Sequence, residues 1–275
     1  MLRSLKELER YSIGATDGLV GHVKDLYFDD RAWVIRYLIV DTGAWLSSRK
    51  VLISPFSIRE PDTERRVFPV SITKQQVKDS PSVDTEKPVS RQHEIRYLGY
   101  YGYPYYWGGA GLWGEGSYPA AMLTGVGYAG ADAQYQQVQA AAQRRADDAD
   151  RERHEHDDPH LRSCEAIIRY HIHASDGEIG HVENFLIDDQ TWAVRYFVVN
   201  TSNWWVGHSV LIAPQWIERV SWGEAAVTVN LTQKAVQEAP PYDPKVPLGR
   251  ETEIGIYKHY GRPGYWSEEQ VRRVA

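Results

Sequence analysis

The densest set of groups able to do chemistry is the run Arg153-His154-Glu155-His156-Asp157-Asp158-Pro159-His160. Imidazole and carboxylate at close spacing chelate zinc or nickel, which makes His154, His156 and His160 the candidate metal ligands. A structural metal site, however, holds a rigid, closed set of ligands. Pro159 and the charged surroundings read instead as a solvated linker, so no cofactor is expected and a metal-binding protein stands as an alternative. His22 and His181 follow Gly21 and Gly180, and a neutral imidazole can move protons near neutral pH. No serine or cysteine stands in a nucleophile motif, and the single cysteine, Cys164, has no disulfide partner. Asp29-Asp30 and Asp188-Asp189 resemble acidic dyads but fall between strand patterns, where aspartate is a good turn residue. Arg36 and Arg195 sit inside apolar runs, where a charge requires a carboxylate partner or a rim position. Asp25 is the candidate partner in one case, but Asn184 replaces it in the other. With no Gly-rich phosphate loop either, the expectation is a protein that is not an enzyme and has no catalytic residues.

A second kind of chemistry is offered by the strip Tyr100 to Ala131, dense in Gly, Tyr and Trp. Aromatic rings supply large apolar area at small entropic cost, which suits them to recognition. Tyr103, Tyr105, Tyr106, Trp107 and Trp113 are the candidate partner-binding residues. The competing reading is that Tyr100 to Trp107 folds back over its own domain, since large aromatic patches are seldom left exposed. On the first reading, deleting Tyr103 to Trp113 leaves the fold intact and abolishes partner binding.

The elements that must position these groups come as a repeat. When the sequence is shifted so that His22 falls on His181, IGATDGLVGHV (Ile13 to Val23) lies over IHASDGEIGHV (Ile172 to Val182). Asp29-Asp30, Trp33 and Arg36-Tyr37 then fall on Asp188-Asp189, Trp192 and Arg195-Tyr196 without a gap. VLISP meets VLIAP, and YGYPYYW meets YGRPGYW at Trp107 and Trp266. A duplicated module produces this; chance does not.

Within each copy the signals are those of strands. Asp17-Gly18 and Asp176-Gly177 mark hairpin turns. WVIRYLIV and WAVRYFVV are rich in β-branched and aromatic residues, and alternation places Arg36 on the face of Val34, Leu38 and Val40. KVLIS and SVLIA stop at Pro55 and Pro214. Thr73 and Thr232 stand as N-caps before one short helix per copy, each ended by proline. The fold class is therefore all-β: two tandem small β-barrels with one short helix each, joined by a Gly/aromatic loop and a short linker helix. The domains read as 1–99 for the first repeat, 100–160 for the linker, 161–258 for the second repeat and 259–275 for an aromatic C-terminal tail.

At these residues the module resembles a PRC-barrel. The resemblance rests on Gly21-His22-Val23-Lys24-Asp25-Leu26, Gly180-His181-Val182-Glu183-Asn184-Phe185, the aspartate turns, the Trp33 strand and the VLISP/VLIAP segments. The family is named for the cytoplasmic domain of the photosynthetic reaction centre H subunit, and it also supplies the C-terminal domain of a ribosome maturation factor. The whole chain is similar to bacterial tandem PRC-barrel proteins whose modules end in an aromatic tail. The resemblance implies the fold and a non-enzymatic, partner-binding habit. It carries no active site.

Composition narrows the setting. With 31 Lys+Arg against 37 Asp+Glu in 275 residues, the formal charge is −6, which repels phosphate, so no nucleic-acid partner is expected. No long uncharged apolar run is present, so no membrane span is expected, and the single cysteine fits a reducing, cytoplasmic location. The expected function is a non-catalytic adaptor or scaffold for a protein partner, its two copies forming a pseudo-dimer within one chain. The alternative is a small-ligand or cofactor-sensing module, associated with electron or proton transfer as in the reaction-centre relatives.

Overall fold

Residues 1–81, 89, 91–107, 109, 111–125, 161–201 and 209–267 are described by a computed structural model. They form two compact units, Tyr11–Arg162 and Met1–Arg10 with Ser163–Ala275. Among them no helix is long and apolar enough to cross a membrane.

In the unit containing Tyr11–Arg162, strands β2 (Ser12–Ala15), β3 (Gly18–Asp29), β4 (Val34–Asp41), β5 (Lys50–Ile53) and β6 (Val67–Pro69) pair in the order β5-β4-β3-β2-β6. All neighbours are antiparallel except β2 and β6, which run parallel. The other unit repeats this order with β8 (His171–Ala174), β9 (Gly177–Asp188), β10 (Val194–Asn200), β11 (Ser209–Ile212) and β13 (Ala226–Val229), and extends it by β12 (Ile217–Ser221). Two short strands complete the sheets: β1 (Leu2–Ser4) pairs with β9, and β7 (Leu161–Ser163) pairs with β3. Thus the opening strand of each sequence repeat lies in the sheet built mainly from the other repeat.

The local signals act as their chemistry requires. The hairpin loops lie one residue earlier than the Asp-Gly reading, at Thr16-Asp17 and Ser175-Asp176, with Ala15 pairing Gly18 and Ala174 pairing Gly177. Their carboxylates also accept from the first backbone amides of the following helices, Lys74 and Gln233, both at 2.7 Å. Thr73 caps α2 (Lys74–Asp79), completed by Gln76 as a capping box. Strand β4 is buried along nearly its whole length, as a run of Val, Ile, Leu and Tyr demands once both faces are covered.

Two expectations need correction. The chain is mostly β, but the described strands pair along an open path rather than around a closed ring. Helices also exceed one short helix per repeat: α1 (Leu5–Leu8), α2, α3 (Arg91–Tyr101), α4 (Pro119–Gly125), α5 (Cys164–Ile167), α6 (Gln233–Gln237) and α7 (Arg250–His259) are present. Helices α3 and α7 escape a pattern reading because their apolar stripe is thin and aromatic, and Gly99 and Gly255 interrupt it.

Candidate functional site

The side chains with most chemical capacity converge where α3 and the aromatic strip close over β4. Arg36 is the residue at which the β3–β4 register slips: Tyr27 faces Tyr37 while Phe28 faces Ile35. Such a bulge breaks alternation and re-aims its side chain. With Val34 opposite Asp29 and Leu38 opposite Leu26, the slip puts Val34 and Leu38 on opposite faces, so the single face that strict alternation gives Val34, Arg36 and Leu38 does not form. Its guanidinium lies 3.9 Å from the Tyr106 ring centroid and 4.8 Å from that of Trp113. It donates to the Leu112 carbonyl at 2.7 Å and to Asp29 Oδ2 at 3.3 Å. Arg195 is the bulged residue of the other unit, between Val194/Ile187 and Tyr196/Leu186. It donates to Asp188 Oδ2 at 3.2 Å and stacks 3.9 Å over Tyr265.

The carboxylate partner is thus Asp29 in one unit and Asp188 in the other. Asp25 and Asn184 accept the amides of their own next residues, Leu26 and Phe185. Asp29 serves the turn as well, accepting the Arg31 and Ala32 amides. Burial pushes the Asp188 carboxyl up. The Arg195 charge, together with hydrogen bonds from the Gln190 amide, Thr191 and Arg195, outweighs this and holds it below the ordinary aspartate range.

The tyrosine stacked on each arginine, Tyr106 or Tyr265, also bonds a buried carboxylate. Glu94, on α3, is fully buried, and its Oε1 accepts from Tyr37 at 3.2 Å and from Tyr106 in a short hydrogen bond. Glu253, on α7, is 4% exposed and its Oε1 accepts from Tyr196 and Tyr265, each at 2.9 Å. Arg250 pairs with the second oxygen of Glu253 at 3.1 Å. Burial, then the neighbouring glutamate, raises Tyr37 and Tyr196 well above the ordinary phenol range. Tyr265 is pushed up to about 12 for the same two reasons in the same order. These phenols stay protonated and act as donors.

The predicted partner-binding residues divide. Tyr106 is 4% exposed and Trp113 is fully buried, packed edge-on to Phe56 at 4.9 Å. Neither offers a surface. Tyr103 is half-buried between Phe56 and Tyr101, and Tyr105 and Trp107 are half-buried and stacked at 4.4 Å. The strip therefore folds back over its own unit, and deleting Tyr103 to Trp113 would remove part of that core. The expectation that the fold survives the deletion gives way to this burial.

His154, His156 and His160 lie outside the described residues. Among the described residues no group of three or more His, Cys, Asp or Glu side chains is placed to hold a metal. His22 sits at the surface with Nδ1 3.0 Å from Ser12 Oγ. Glu94 and Glu253 are the site residues that sequence reasoning missed. The signal was present, because the shift that superposes His22 on His181 also superposes Arg91 on Arg250 and Glu94 on Glu253.

Residues 4–77 match the PRC-barrel domain family. The PRC-barrel match runs from Ser4 through β2–β6 to Val77 in α2, so α3, Glu94 and the aromatic strip lie beyond it. It also crosses the boundary at Arg10 and Tyr11, where the chain passes between its two units. No curated protein matches the chain.

Proposed function

We propose that the chain is a cytoplasmic, non-catalytic tandem PRC-barrel adaptor, both repeats being modules of that family. The observation that carries this reading is the closure of the chemically capable groups on one another. Each buried glutamate is taken up by two tyrosines, and each bulged arginine by an aspartate and an aromatic face. Function must be argued from a site, and this cluster acts as a structural lock. Among the described residues of this strip, the half-buried stacked rings of Tyr105 and Trp107 are the apolar area proposed to meet a partner. Stacked rings of this kind suit an apolar segment of another protein.

The test compares the full-length chain with Tyr105→Ser/Trp107→Ser in capture from native lysate, with circular dichroism on both. The double substitution leaves Glu94, Tyr106 and Trp113 in place, unlike deletion of the strip. A partner held by the parent and lost by the folded variant supports the adaptor. Equal capture by both, or capture by neither with a melting temperature that rises on adding a small ligand, overturns it in favour of another surface or a sensor.

A further inference from the structure

We propose that the β9 edge that holds β1 is a docking site for the opening strand of a second copy of this chain, so that an exchanged dimer is open to this protein. The inference does not rest on the stacked rings of Tyr105 and Trp107. Strand β1 is Leu2-Arg3-Ser4, set antiparallel on β9 with Leu2 facing Asp188, Arg3 facing Ile187 and Ser4 facing Leu186. Its side chains fix the register: Arg3 Nε lies 2.9 Å from Asp189 Oδ2, and both groups are largely buried. Helix α1 follows directly, capped by Ser4 Oγ on the Glu7 amide, and buries Leu5 and Leu8. Three backbone steps, one ion pair and two apolar anchors thus hold the segment.

The strand and its ion pair occur a second time. Strand β7 is again Leu-Arg-Ser, Arg162 Nε lies 3.1 Å from Asp30 Oδ2, and Ser163 Oγ caps the Ala166 amide of α5, which buries Cys164 and Ile167. Donor and acceptor are therefore the same pair of sequences in both units: Leu-Arg-Ser against Asp-Asp. In each, the donor strand comes from the repeat that does not build the rest of the sheet. The acceptor reads the strand's residues, and nothing in the register or the ion pair depends on which chain supplies them. Exchange of an identical element between protomers is a low-cost route to a dimer, because each contact is one the closed monomer already makes. The occupant with matching residues and charge is a second Leu2–Leu8 segment.

Complementary charge reversal in the full chain tests this. Arg3→Asp and Asp189→Arg each set like charges at the β1–β9 edge, while Arg162–Asp30 is left as it is. The two variants are unfolded in denaturant, mixed, refolded together and sized by light scattering. The expected result is a dimer that forms in the mixture and in neither variant alone. In the exchanged pair, the strand made acidic by Arg3→Asp meets the edge made basic by Asp189→Arg, and the unaltered Arg3 of one copy meets the unaltered Asp189 of the other. The double variant Arg3→Asp/Asp189→Arg carries both partners in one chain and is expected to refold as a monomer. A mixture that stays monomeric while the double variant folds overturns the proposal. Should the double variant not fold, the parent chain decides. Isotopically labelled and unlabelled copies refolded together at rising concentration must give a discrete mixed dimer, and monomer throughout overturns the proposal.

Discussion

Replacing Glu253 tests whether the buried carboxylate locks its unit. Its Oε1 accepts from both Tyr196 and Tyr265, and these tyrosines are 0% and 8% exposed. Glu253→Ala leaves two buried hydroxyls without that acceptor, at ~1–3 kcal/mol each, for a total of ~2–6 kcal/mol. Arg250 adds little, because its side chain is 52% exposed and rehydrates when the pair is lost. For a unit of this size the fall in Tm is ~10–20 °C. Glu253→Gln behaves differently. Both phenols bond the same oxygen, so an amide carbonyl can replace it, and the loss is confined to charge assistance and the Arg250 pair, ~1–2 kcal/mol. Denaturant titration followed by circular dichroism and by tryptophan fluorescence separates the two. The decisive measurement is a double-mutant cycle with Tyr265→Phe. Once Tyr265 has no hydroxyl to strand, Glu253→Ala becomes less costly by ~1–3 kcal/mol. Additive losses, or equal effects of Ala and Gln, would refute the argument that the carboxylate is held for its two donors.

Alkali is expected to unfold the chain cooperatively. Tyr37, Tyr97 and Tyr196 are raised above the ordinary phenol value chiefly by burial, and Tyr101 and Tyr265 are raised to about 12. A raised phenol contributes stability that is complete below the unfolded value near 10 and is lost as pH rises toward the folded value. Each such group removes up to ~1.4 kcal/mol per pH unit above ~10. Tyrosinate absorbance should rise in a late step that coincides with loss of circular dichroism, and a smooth rise near pH ~10 with the fold intact would count against these environments. At the strand crossings, a Cβ on Gly21 would collide with the Asp41 carbonyl, and one on Gly180 with the Asn200 carbonyl. Gly21→Ala should cost ~2–3 kcal/mol by forcing backbone apart, and Gly180→Ala more, because its φ of +143° adds strain. Gly255→Ala, in open space on α7, should instead stabilise by ~0.5–1 kcal/mol in the same denaturation assay.

What the sequence made legible follows from the range of the forces involved. Hairpin turns, the N-caps Thr73 and Thr232, and the proline stops are set by contacts within a few residues, and pattern reading found them, the hairpins to within one residue. The bulges at Arg36 and Arg195 were not legible, because an extra residue in one strand is defined only by its partner strand. The arginine's partner, expected at Asp25, is the turn aspartate in both units. Glu94 and Glu253 lay inside the aligned repeat, yet a glutamate in a polar-looking segment reads as solvated until a strand tyrosine distant in sequence, Tyr37 or Tyr196, is brought to it.

The exchange of β1 and β7 was hidden for a deeper reason. Duplication makes the two donors alike, Arg3 like Arg162, and the two acceptors alike, Asp30 like Asp189. A sequence containing both pairs is equally consistent with each repeat keeping its own strand and with the two trading strands. Local preference cannot separate these arrangements, because the residue contacts are the same in both. The same degeneracy gives a second copy of the chain its means of entry, since an edge that cannot tell one repeat's strand from the other's cannot tell one molecule's strand from another's.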